Sequence, residues 1–320
     1  MMTGLYKNLT SLYDFFIKRS DVMERAKIEQ VSIIIPAKNE GANVKMTVDS
    51  IVNTSSTIPY EVIVVDDASQ DDCCRFLAEN EGYWQGKGVK LIRTGGLGSA
   101  NARNMGAGHA AGDMLVFSDA HVVVEKDWLE KMAAAMSQPG VDVLAPGIAD
   151  FNNPHIVGFG QTWNEKLEIQ WLRAPRDVSP IPLAPGGLEA VKKETFHRVG
   201  GFEKGFKIWG YEDVEFSFKC WLFGFGVYVT PDVTVKHVFR SRHTYYVSYK
   251  EVYYNLMRMA VSHFGRERLA KTVNLIMSAP EVENILAEIT LSDVWEQRKD
   301  YFNQRKYDDD WFMNKFQIPF

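Results

Sequence analysis

The sequence feature that most constrains the fold is the stretch Asp113–His121, in which a short apolar run ends in an acid and a histidine. Met114–Phe117 is apolar throughout, as expected for a central strand of a parallel sheet that is buried on both faces. Because alternate side chains of an extended backbone share a face, Asp119 and His121 are predicted to converge just beyond this strand. Ligands of open α/β sheets bind at that edge. A carboxylate and an imidazole there suit a divalent metal ion such as Mn²⁺; the plainer interpretation is a strand-end aspartate that caps a turn.

Strands and helices alternate at short spacing through the first part of the chain. The predicted strands are 31–35, 60–65, 89–93 and 114–117, and the predicted helices between them are 43–52, 71–79 and 99–111. This alternation is typical of a doubly wound α/β fold with a parallel sheet. The glycines at 95, 96 and 98 lack the G-x-G-x-x-G spacing and do not follow the first strand, which disfavours a dinucleotide-binding dehydrogenase.

The pattern changes after His121. The predicted strands are 141–146, 189–191, 227–230 and 233–238, and the predicted helices are 128–136 and 193–199. Residues 151–185 show no clear periodicity, and so long an irregular stretch in a compact domain is usually functional. Trp209–Asp213 precedes apolar residues at helical spacing, so it is predicted to lie at a helix N-terminus, which favours acidic side chains or a phosphate. From Ser248 onwards the chain is predicted to be largely helical.

Composition disfavours several other classes of protein. Hydrophobic residues make up 46% and charged residues 24% of the 320 residues, as in an ordinary soluble protein. A formal net charge of −5 gives no reason to expect nucleic acid as a partner. The three cysteines, two of them adjacent, favour a reducing compartment over a disulfide framework, so we expect a cytoplasmic protein. Met1–Gln30 contains no apolar run of signal-peptide or membrane-span length, and its apolar stripe predicts a helix that packs on the domain, with a membrane-surface anchor as the alternative.

Several motifs that follow one another along the chain carry a family resemblance. In the first half they are Ile-Pro-Ala-Lys-Asn-Glu at 35–40, Val-Val-Asp-Asp-Ala-Ser at 64–69 and Ala-Arg-Asn-Met-Gly-Ala at 102–107. In the second half they are Trp-Asn at 163–164, Gly-Gly-Leu at 186–188, Ile-Trp-Gly-Tyr-Glu-Asp-Val-Glu at 208–215 and His-Val-Phe-Arg at 237–240, with a closing segment at 306–316. The first set resembles family-2 nucleotide-sugar glycosyltransferases of the GT-A fold. The second set is similar to the catalytic domain of polypeptide N-acetylgalactosaminyltransferases.

The resemblance implies a UDP-sugar donor, a Mn²⁺ or Mg²⁺ cofactor and a peptide or protein acceptor. Asp119, His121 and His237 would bind the metal ion, which neutralises charge on the departing UDP. The nucleotide would contact Ala37, Glu40, Asp67, Arg103, Asp119 and Arg240. Gly187, Trp209 and Glu212 would face the sugar or the acceptor, and Glu212 and Asp213 are the candidate catalytic residues. Plainer interpretations are Asp67 as a turn residue, Arg103 as an exposed helix residue and Trp209 as part of the core.

Three positions depart from the family pattern. Tyr211 stands where the family has its second glycine, Asp213 where it has asparagine, and Lys236 where a glycine precedes the histidine. Asp213 matters most, because W-G-x-E-D is also the pattern of inverting transferases, in which this aspartate is the general base. The wider resemblance slightly favours a retaining enzyme that modifies Ser or Thr. The alternatives are an inverting transferase that acts on a glycan or a Cys, and a sugar-nucleotide-binding module without catalysis.

We therefore expect an α/β protein with the GT-A fold, a Rossmann-like and mostly parallel sheet flanked by helices, with a largely helical C-terminal extension. Residues 1–30 would form a helical segment that packs on the domain, 31–247 the catalytic domain and 248–320 the extension. Within the catalytic domain, 31–121 would bind the nucleotide and 122–247 the sugar and acceptor. The chain is expected to lack a transmembrane segment, a membrane anchor and the C-terminal lectin domain of the family.

Overall fold

The structure, a computed structural model, describes residues 28–320, so the helix predicted for the N-terminal segment lies outside the described residues. The strands are β1 (Val31–Ala37), β2 (Tyr60–Asp67), β3 (Val89–Thr94), β4 (Met114–Ser118), β5 (Val122–Val123), β6 (Val143–Asp150), β7 (Val157–Gly158), β8 (Gln161–Trp163), β9 (Ile169–Trp171), β10 (Ser179–Pro180), β11 (Leu188–Lys192) and β12 (Val227–His237). The helices are α1 (Asn43–Val52), α2 (Arg75–Glu79), α3 (Glu81–Gly86), α4 (Ser99–Gly108), α5 (Trp128–Met136), α6 (Lys193–Arg198), α7 (Glu212–Phe223), α8 (Tyr249–His263), α9 (Arg266–Ile276), α10 (Val282–Leu291), α11 (Val294–Gln304) and α12 (Asp309–Phe316).

A mixed sheet forms the centre of the fold. Its main path runs β10-β12-β6-β11-β4-β1-β2-β3, and β5 and β7 add short pairings to β12 and β6. β3, β2, β1 and β4 are parallel neighbours, and so are β6 and β12. Because β11 lies antiparallel to both β4 and β6, all of these long strands except β11 point the same way. The prediction of a mostly parallel sheet is confirmed, with one reversed strand near its centre.

Alternation of side chains along the strands explains why helices cover both faces of the sheet. In β1, Ile33 and Ile35 face one hydrophobic core and Ile34 faces the other. The side chains of α1 and α5 fill the first core, and those of α4, α7 and the C-terminal helices fill the second. A Cβ on Gly106 of α4 would clash with the Ile34 side chain, so this glycine allows α4 to lie close to the sheet. Uninterrupted apolar runs are what strands buried on both faces require.

Element boundaries differ from the predictions where turns or bulges intervene. The helix predicted at 71–79 begins only at Arg75 and is followed by the separate helix α3, and the helix predicted at 99–111 ends at Gly108. The two strands predicted at 227–230 and 233–238 form the single strand β12, whose register with β6 shifts between Val229 and Thr234. Pro231 lies within this shift, as expected for a residue that cannot donate a ladder hydrogen bond. The irregular stretch contains the short strands β7 to β10.

The predicted helical C-terminal extension is confirmed, and it packs onto α7. α8 begins with a capping box, in which the Ser248 side chain accepts a hydrogen bond from the Glu251 backbone. At the other end of α8, Nε2 of the buried His263 lies 2.7 Å from Oε1 of Glu215 in α7. Glu215 also pairs with Lys219 at 3.1 Å, so these buried charges neutralise one another. Within residues 28–320, none of the helices combines the length and apolar character needed to cross a bilayer.

Candidate active site

A cleft of about 820 Å³ lies where the ends of β1, β2 and β4 meet the end of β12 and the start of α7. This volume is in the range of about 300–1,000 Å³ that is usual for ligand-binding cavities. Every residue that the sequence predicted for the site lines this cleft: Ala37, Glu40, Asp67, Arg103, Asp119, His121, Gly187, Trp209, Glu212, Asp213, His237 and Arg240. The fold therefore brings together, at one edge of the sheet, residues as distant in the sequence as Glu40 and Arg240, which are 200 positions apart.

Asp119, His121 and His237 converge at the junction of β5 and β12. Val122 of β5 pairs with His237 of β12, and the Val238 backbone N–H donates to the His121 carbonyl at 3.0 Å, which holds the two histidines side by side. Asp119 Oδ2 lies 3.3 Å from His237 Nε2 and 3.8 Å from His121 Nε2. One ligand atom of each residue lies within 4.8 Å of those of the other two. One carboxylate oxygen and two imidazole nitrogens form a donor set that fits Mn²⁺ or a similar divalent ion.

The protonation state of Asp119 suits a metal ligand. Burial alone would raise the pKa of Asp119, but the hydrogen bond with His237 and the charges of His121 and Arg103 lower it to about 2. Nδ1 of His237 is buried without a hydrogen-bond partner among residues 28–320, so Nε2 is the nitrogen that this histidine presents to Asp119. A carboxylate must be deprotonated to bind a metal ion, and the lowered pKa of Asp119 meets that condition.

Arg103 lies beneath the cleft and joins its two ends. It is only 3% exposed, so the interpretation as an exposed helix residue is wrong. Its Nη2 donates to Asp119 Oδ1 at 2.8 Å, and its Nη1 donates to Glu212 Oε1 at 3.2 Å. Glu212 also accepts hydrogen bonds from the Ser99 hydroxyl at 2.6 Å and the Gly210 backbone at 2.9 Å. Both oxygens of Glu212 are thus engaged inside the protein; the predicted nucleotide contact of Arg103 and sugar contact of Glu212 stay predictions.

Asp213, the next residue of α7, is less constrained than Glu212. Its Oδ2 accepts a hydrogen bond from the Gly186 backbone at 2.7 Å and its Oδ1 accepts one from the Val214 backbone at 2.9 Å, which leaves further lone pairs on both oxygens. Burial and the adjacent charge of Glu212 raise the pKa of Asp213 to about 6, against the pull of these hydrogen bonds. Asp213 is therefore a carboxylate with near-neutral basicity on the wall of the cleft.

Two glycines let the backbone pass between Asp213 and the histidines. A Cβ on Gly186 would meet Asp213 Oδ2 at 2.9 Å, and a Cβ on Gly187 would meet His237 Cδ2 at 3.0 Å. The Gly187 carbonyl accepts a hydrogen bond from the Asp119 backbone at 3.0 Å. Larger residues would displace the side chains that the cleft depends on. The predicted approach of Gly187 to a sugar stays a prediction.

Tyr211 marks the start of α7 and departs from the family pattern. Its φ is +70°, in the left-handed region that glycine adopts most easily. The backbone thus keeps the conformation that the family's glycine would favour, although a tyrosine in it is strained.

Asp67 at the end of β2 organises the glycine-rich turn. Its Oδ1 accepts hydrogen bonds from the Thr94 hydroxyl and the Leu97 backbone at 2.5 Å each, and its Oδ2 accepts one from the Gly98 backbone at 2.9 Å. Lys38 Nζ lies 3.8 Å from Oδ2. These contacts show that Asp67 holds the glycine-rich segment 95–98 in place, and the predicted hydrogen bond from uracil to Asp67 stays a prediction.

Glu40, in the loop after β1, pairs with Arg240, which lies three residues beyond the end of β12. Its Oε1 accepts a hydrogen bond from Arg240 Nη1 at 3.1 Å, and its Oε2 accepts another from Nη2. The same Oε2 lies 3.2 Å from His121 Nδ1. Burial raises the pKa of Glu40, but the bonds to His121 and Arg240 outweigh this and lower it. Both residues were predicted to contact the nucleotide; in the structure they contact each other.

Aromatic side chains form the outer rim of the cleft. Trp209 is 38% exposed and packs against the His243 ring with centroids 4.4 Å apart, so its interpretation as a core residue is wrong. Trp171 of β9 also lines the cleft and packs edge-on against Phe239, with ring centroids 6.2 Å apart. Trp171 was not predicted, because its short hairpin lies in the stretch that showed no period.

Two further residues of the site were missed by the sequence. Asn255 of α8 is fully buried; its Nδ2 donates to the carbonyls of Trp209 and Gly210 at 3.2 and 2.9 Å, so the C-terminal extension fixes the loop before α7. Glu189 of β11 is fully buried, and neither of its oxygens has a hydrogen-bond partner among residues 28–320. Burial and the charge of Asp213 raise the pKa of Glu189 well above its usual value. An acid within the apolar run of β11 was a signal that the sequence offered.

Comparison with known families agrees with this geometry. The family described as glycosyl transferase family 2 matches residues 32–182, and the N-terminal domain of galactosyltransferase matches residues 176–244. Polypeptide N-acetylgalactosaminyltransferase 11 of Xenopus tropicalis is 32% identical over 242 residues, which are 68% of this chain and 39% of that protein. The chain belongs to the GT-A glycosyltransferases. The resemblance carried by the motifs is thus confirmed.

Two further matches are a solved structure with the same fold and a sequence relative that is named inactive. A solved structure described as GalNAc-T7 with UDP, GalNAc and Mn²⁺ superposes with a TM-score of 0.74 at 22% identity, over 91% of this chain and 57% of that one, and it establishes the fold. An inactive polypeptide N-acetylgalactosaminyltransferase-like protein 5 of Macaca fascicularis is 30% identical over 238 residues, 68% of this chain and 53% of that protein. The chain spans about 40% of the length of the first relative named above, Xenopus transferase 11.

Proposed function

We propose that this glycosyltransferase moves a hexose or N-acetylhexosamine from a UDP-sugar to a Ser or Thr hydroxyl of a peptide or protein, with Mn²⁺ or Mg²⁺ as cofactor. The observation that carries the proposal is the convergence of Asp119, His121 and His237 in a cleft large enough for a sugar nucleotide. The solved relative with UDP, GalNAc and Mn²⁺ and the names of the sequence relatives supply the donor and acceptor classes.

The donor would lie along the edge formed by β1, β2 and β12. Asp119, His121 and His237 would hold the metal ion, which when bound would neutralise negative charge on the diphosphate of the leaving UDP. Arg240 and Lys38 line the same side of the cleft and would add positive charge near the phosphates. Ala37 and the turn organised by Asp67 would contact the nucleoside. Exclusion of water from the nucleotide side of the cleft would limit hydrolysis of the bound UDP-sugar.

The acceptor would enter between the aromatic rim and α7. Trp209 and Trp171 line the cleft and are partly exposed, so their rings could contact an acceptor. Gly187 would let the sugar approach the backbone, and Glu212 would position the sugar or acceptor through its anchored carboxylate. Apolar side chains of a peptide could pack against the aromatic residues that line the cleft, and a Ser or Thr hydroxyl could reach its polar residues.

The stereochemical course depends on Asp213. A retaining transferase lets a phosphate oxygen of UDP accept the acceptor proton, and the family resemblance slightly favours this course. An inverting transferase needs a protein base within hydrogen-bond reach of the acceptor. The spare lone pairs of Asp213 and a pKa raised to about 6 support this second candidate, with a glycan or a Cys as acceptor.

A third candidate, a sugar-nucleotide-binding module without transfer activity, is supported by the relative that is named inactive. In its favour, Glu212 is held by internal hydrogen bonds and Arg240 by Glu40. Against it stands the intact set of Asp119, His121 and His237, which would also supply the charge neutralisation that departure of UDP requires.

The test is incubation of the purified chain with a panel of UDP-sugars, Mn²⁺ and Ser- or Thr-containing peptides, followed by mass spectrometry. Transfer predicts a gain of one sugar mass on a peptide and release of UDP, both lost in the His121→Ala variant. Tight UDP-sugar binding without transfer or hydrolysis would support the binding module. A protein that binds neither UDP nor UDP-sugar with Mn²⁺ would overturn the proposal.

A further inference from the structure

Glu40 makes contacts that a nucleotide-binding residue does not need. Its side chain is 8% exposed, and both oxygens are occupied by partners from distant parts of the chain. Arg240 bonds both oxygens from 200 positions away, and His121 Nδ1 lies 3.2 Å from Oε2 from 81 positions away. A carboxylate filled in this way has little capacity left for a ligand.

The contact with His121 has a direct consequence for metal binding. An imidazole can donate from one nitrogen and offer a lone pair from the other, and its hydrogen-bond partner decides which. With Nδ1–H donating to Glu40, Nε2 of His121 carries the lone pair, and Nε2 is the atom 3.8 Å from Asp119 Oδ2. A carboxylate behind a histidine in this way fixes the ring and strengthens it as a ligand.

The contact of Glu40 with Arg240 restrains the chain next to the other histidine, His237. Arg240 follows His237 by three residues at the end of β12, so its pairing with Glu40 ties that strand end to the loop after β1. One carboxylate therefore restrains the chain beside both histidines of the cluster.

The loop that carries Glu40 is itself held rigidly. Asn39 has a φ of +54°, its backbone N–H donates to the Ser69 hydroxyl at 3.1 Å, and its side chain accepts from the Gln70 backbone at 2.7 Å. On the other side, the Gly41 backbone donates to Asp71 at 2.7 Å. Glu40 is thus delivered to the cluster from a fixed backbone, as a supporting residue must be.

We propose that Glu40 is a positioning residue that selects the metal-binding tautomer of His121 and secures the end of β12 through Arg240. The inference rests on the proposed function, because it gives Glu40 a purpose only if Asp119, His121 and His237 bind a metal ion. It replaces the predicted contact of Glu40 with the nucleotide.

The first test needs no variant. Long-range ¹H–¹⁵N correlation spectra of the metal-free wild-type protein at pH 8 report the tautomer of each histidine, and the His121→Gln variant assigns the His121 signals. The proposal predicts that Nδ1 of His121 carries the proton and Nε2 does not. A His121 ring protonated at Nε2, or exchanging freely between tautomers, would overturn it.

The second test measures Mn²⁺ affinity by electron paramagnetic resonance in the absence of nucleotide. Glu40→Gln keeps the size of the side chain but removes the charge and the preference for Nδ1–H, so affinity should fall by about 10–100-fold, the usual cost of such a supporting residue. Glu61→Gln is the matched control: Glu61 is also a buried carboxylate, 6% exposed, that pairs with Lys90 at 2.7 Å away from the cleft. That control should leave the affinity unchanged.

These measurements separate the inference from the function on which it rests. A wild-type protein that does not bind Mn²⁺ would overturn the metal site and with it the proposed function. A wild type that binds Mn²⁺ while Glu40→Gln binds it equally well would overturn only the role of Glu40. If Glu40→Gln does not fold, as judged by circular dichroism, Glu40→Asp replaces it: the shorter carboxylate cannot reach both partners, and unchanged Mn²⁺ affinity in that variant would count against the proposal.

Discussion

The two ends of the cleft are built on opposite principles. At the metal end, formed by Asp119, His121 and His237, the three side chains aim ligand atoms at one region, and His237 Nε2 lies 3.3 Å from Asp119 Oδ2. At the helix end, formed by Arg103, Glu212 and Asp213, carboxylates receive hydrogen bonds from a guanidinium, a hydroxyl and backbone N–H groups. At the metal end the ligand atoms of different residues face one another, whereas at the helix end the oxygens of Glu212 and Asp213 already accept hydrogen bonds from the protein.

Asp119 belongs to both ends and joins them. Its Oδ1 bonds Arg103 at 2.8 Å, and its Oδ2 faces the two histidines. A cation at the metal end would therefore act on the helix end through one carboxylate and one buried guanidinium. The two ends of the cleft are therefore in contact through Asp119 and Arg103.

The largest effect is expected at the metal end. His237→Ala removes one of three ligands, so Mn²⁺ affinity and sugar transfer should fall by more than about 100-fold, since even supporting residues cost about 10–100-fold. Calorimetric titration with Mn²⁺ and product formation by mass spectrometry measure the two effects. His197→Ala, an exposed histidine on α6, is the control. Full activity after treatment with a chelator would show that the metal end has been misassigned.

The next effect is expected beneath both ends, in stability. Arg103→Met leaves Asp119 and Glu212 without their buried cationic partner, which should cost about 3–5 kcal/mol of the free energy of unfolding. Urea denaturation followed by circular dichroism measures this. Arg93→Met is the control, because Arg93 is exposed and its pairing with Asp66 at 3.9 Å should contribute less than about 1 kcal/mol. Equal stability of the Arg103 variant and wild type would show that the ion pairs of Arg103 with Asp119 and Glu212 do not stabilise the fold.

Sequence reasoning succeeded where chemistry is local. The apolar runs of β1, β2 and β4 have nearly every side chain buried, as predicted. Asp119 and His121 converge as the spacing predicted, but the backbone that carries them is a turn between β4 and β5 and not an extended strand. His237 was found only through its resemblance to a known motif, since a single histidine on an apolar strand has no distinguishing pattern.

Sequence reasoning failed where the partner lies far along the chain. No local sequence pattern predicts that Glu40 and Arg240 pair. None predicts that the Ser99 hydroxyl donates to Glu212, which is 113 positions away. The reversed direction of β11 follows from the path of the chain after β6 and not from its five residues. Long-range polar contacts of this kind depend on topology, which local patterns do not encode.

The Asp213→Asn variant tests whether the helix end takes part in sugar transfer. If the enzyme retains configuration, the change restores the residue type of the polypeptide transferases, and we expect activity within about tenfold of wild type. If it inverts, loss of the general base should cost about 10²–10⁴-fold while UDP binding survives. NMR of the product decides between them: an α-linked product from an α-configured donor, made by a still-active variant, rules out the base role, and a β-linked product rules out retention.

The smallest effect concerns the pH dependence of stability at the helix end. The pKa of Asp213 is raised from an ordinary 3.8 to about 6 by burial and by Glu212, so its protonated form is favoured in the folded state. The stability that this contributes is fully present below pH 4 and is lost as the pH rises through 6.

The asparagine side chain of the Asp213→Asn variant cannot ionise, and it keeps an oxygen that can accept the Gly186 hydrogen bond. The free energy of unfolding of Asp213→Asn minus that of wild type should therefore increase between pH 4 and pH 6, by at most about 2 kcal/mol because neighbouring carboxylates share the proton. Urea denaturation at intervals of pH measures the difference, and Asp232→Asn, at an exposed aspartate of β12, should show no such trend. A difference that is flat or decreases over this range would show that the pKa of Asp213 is not raised in the folded state.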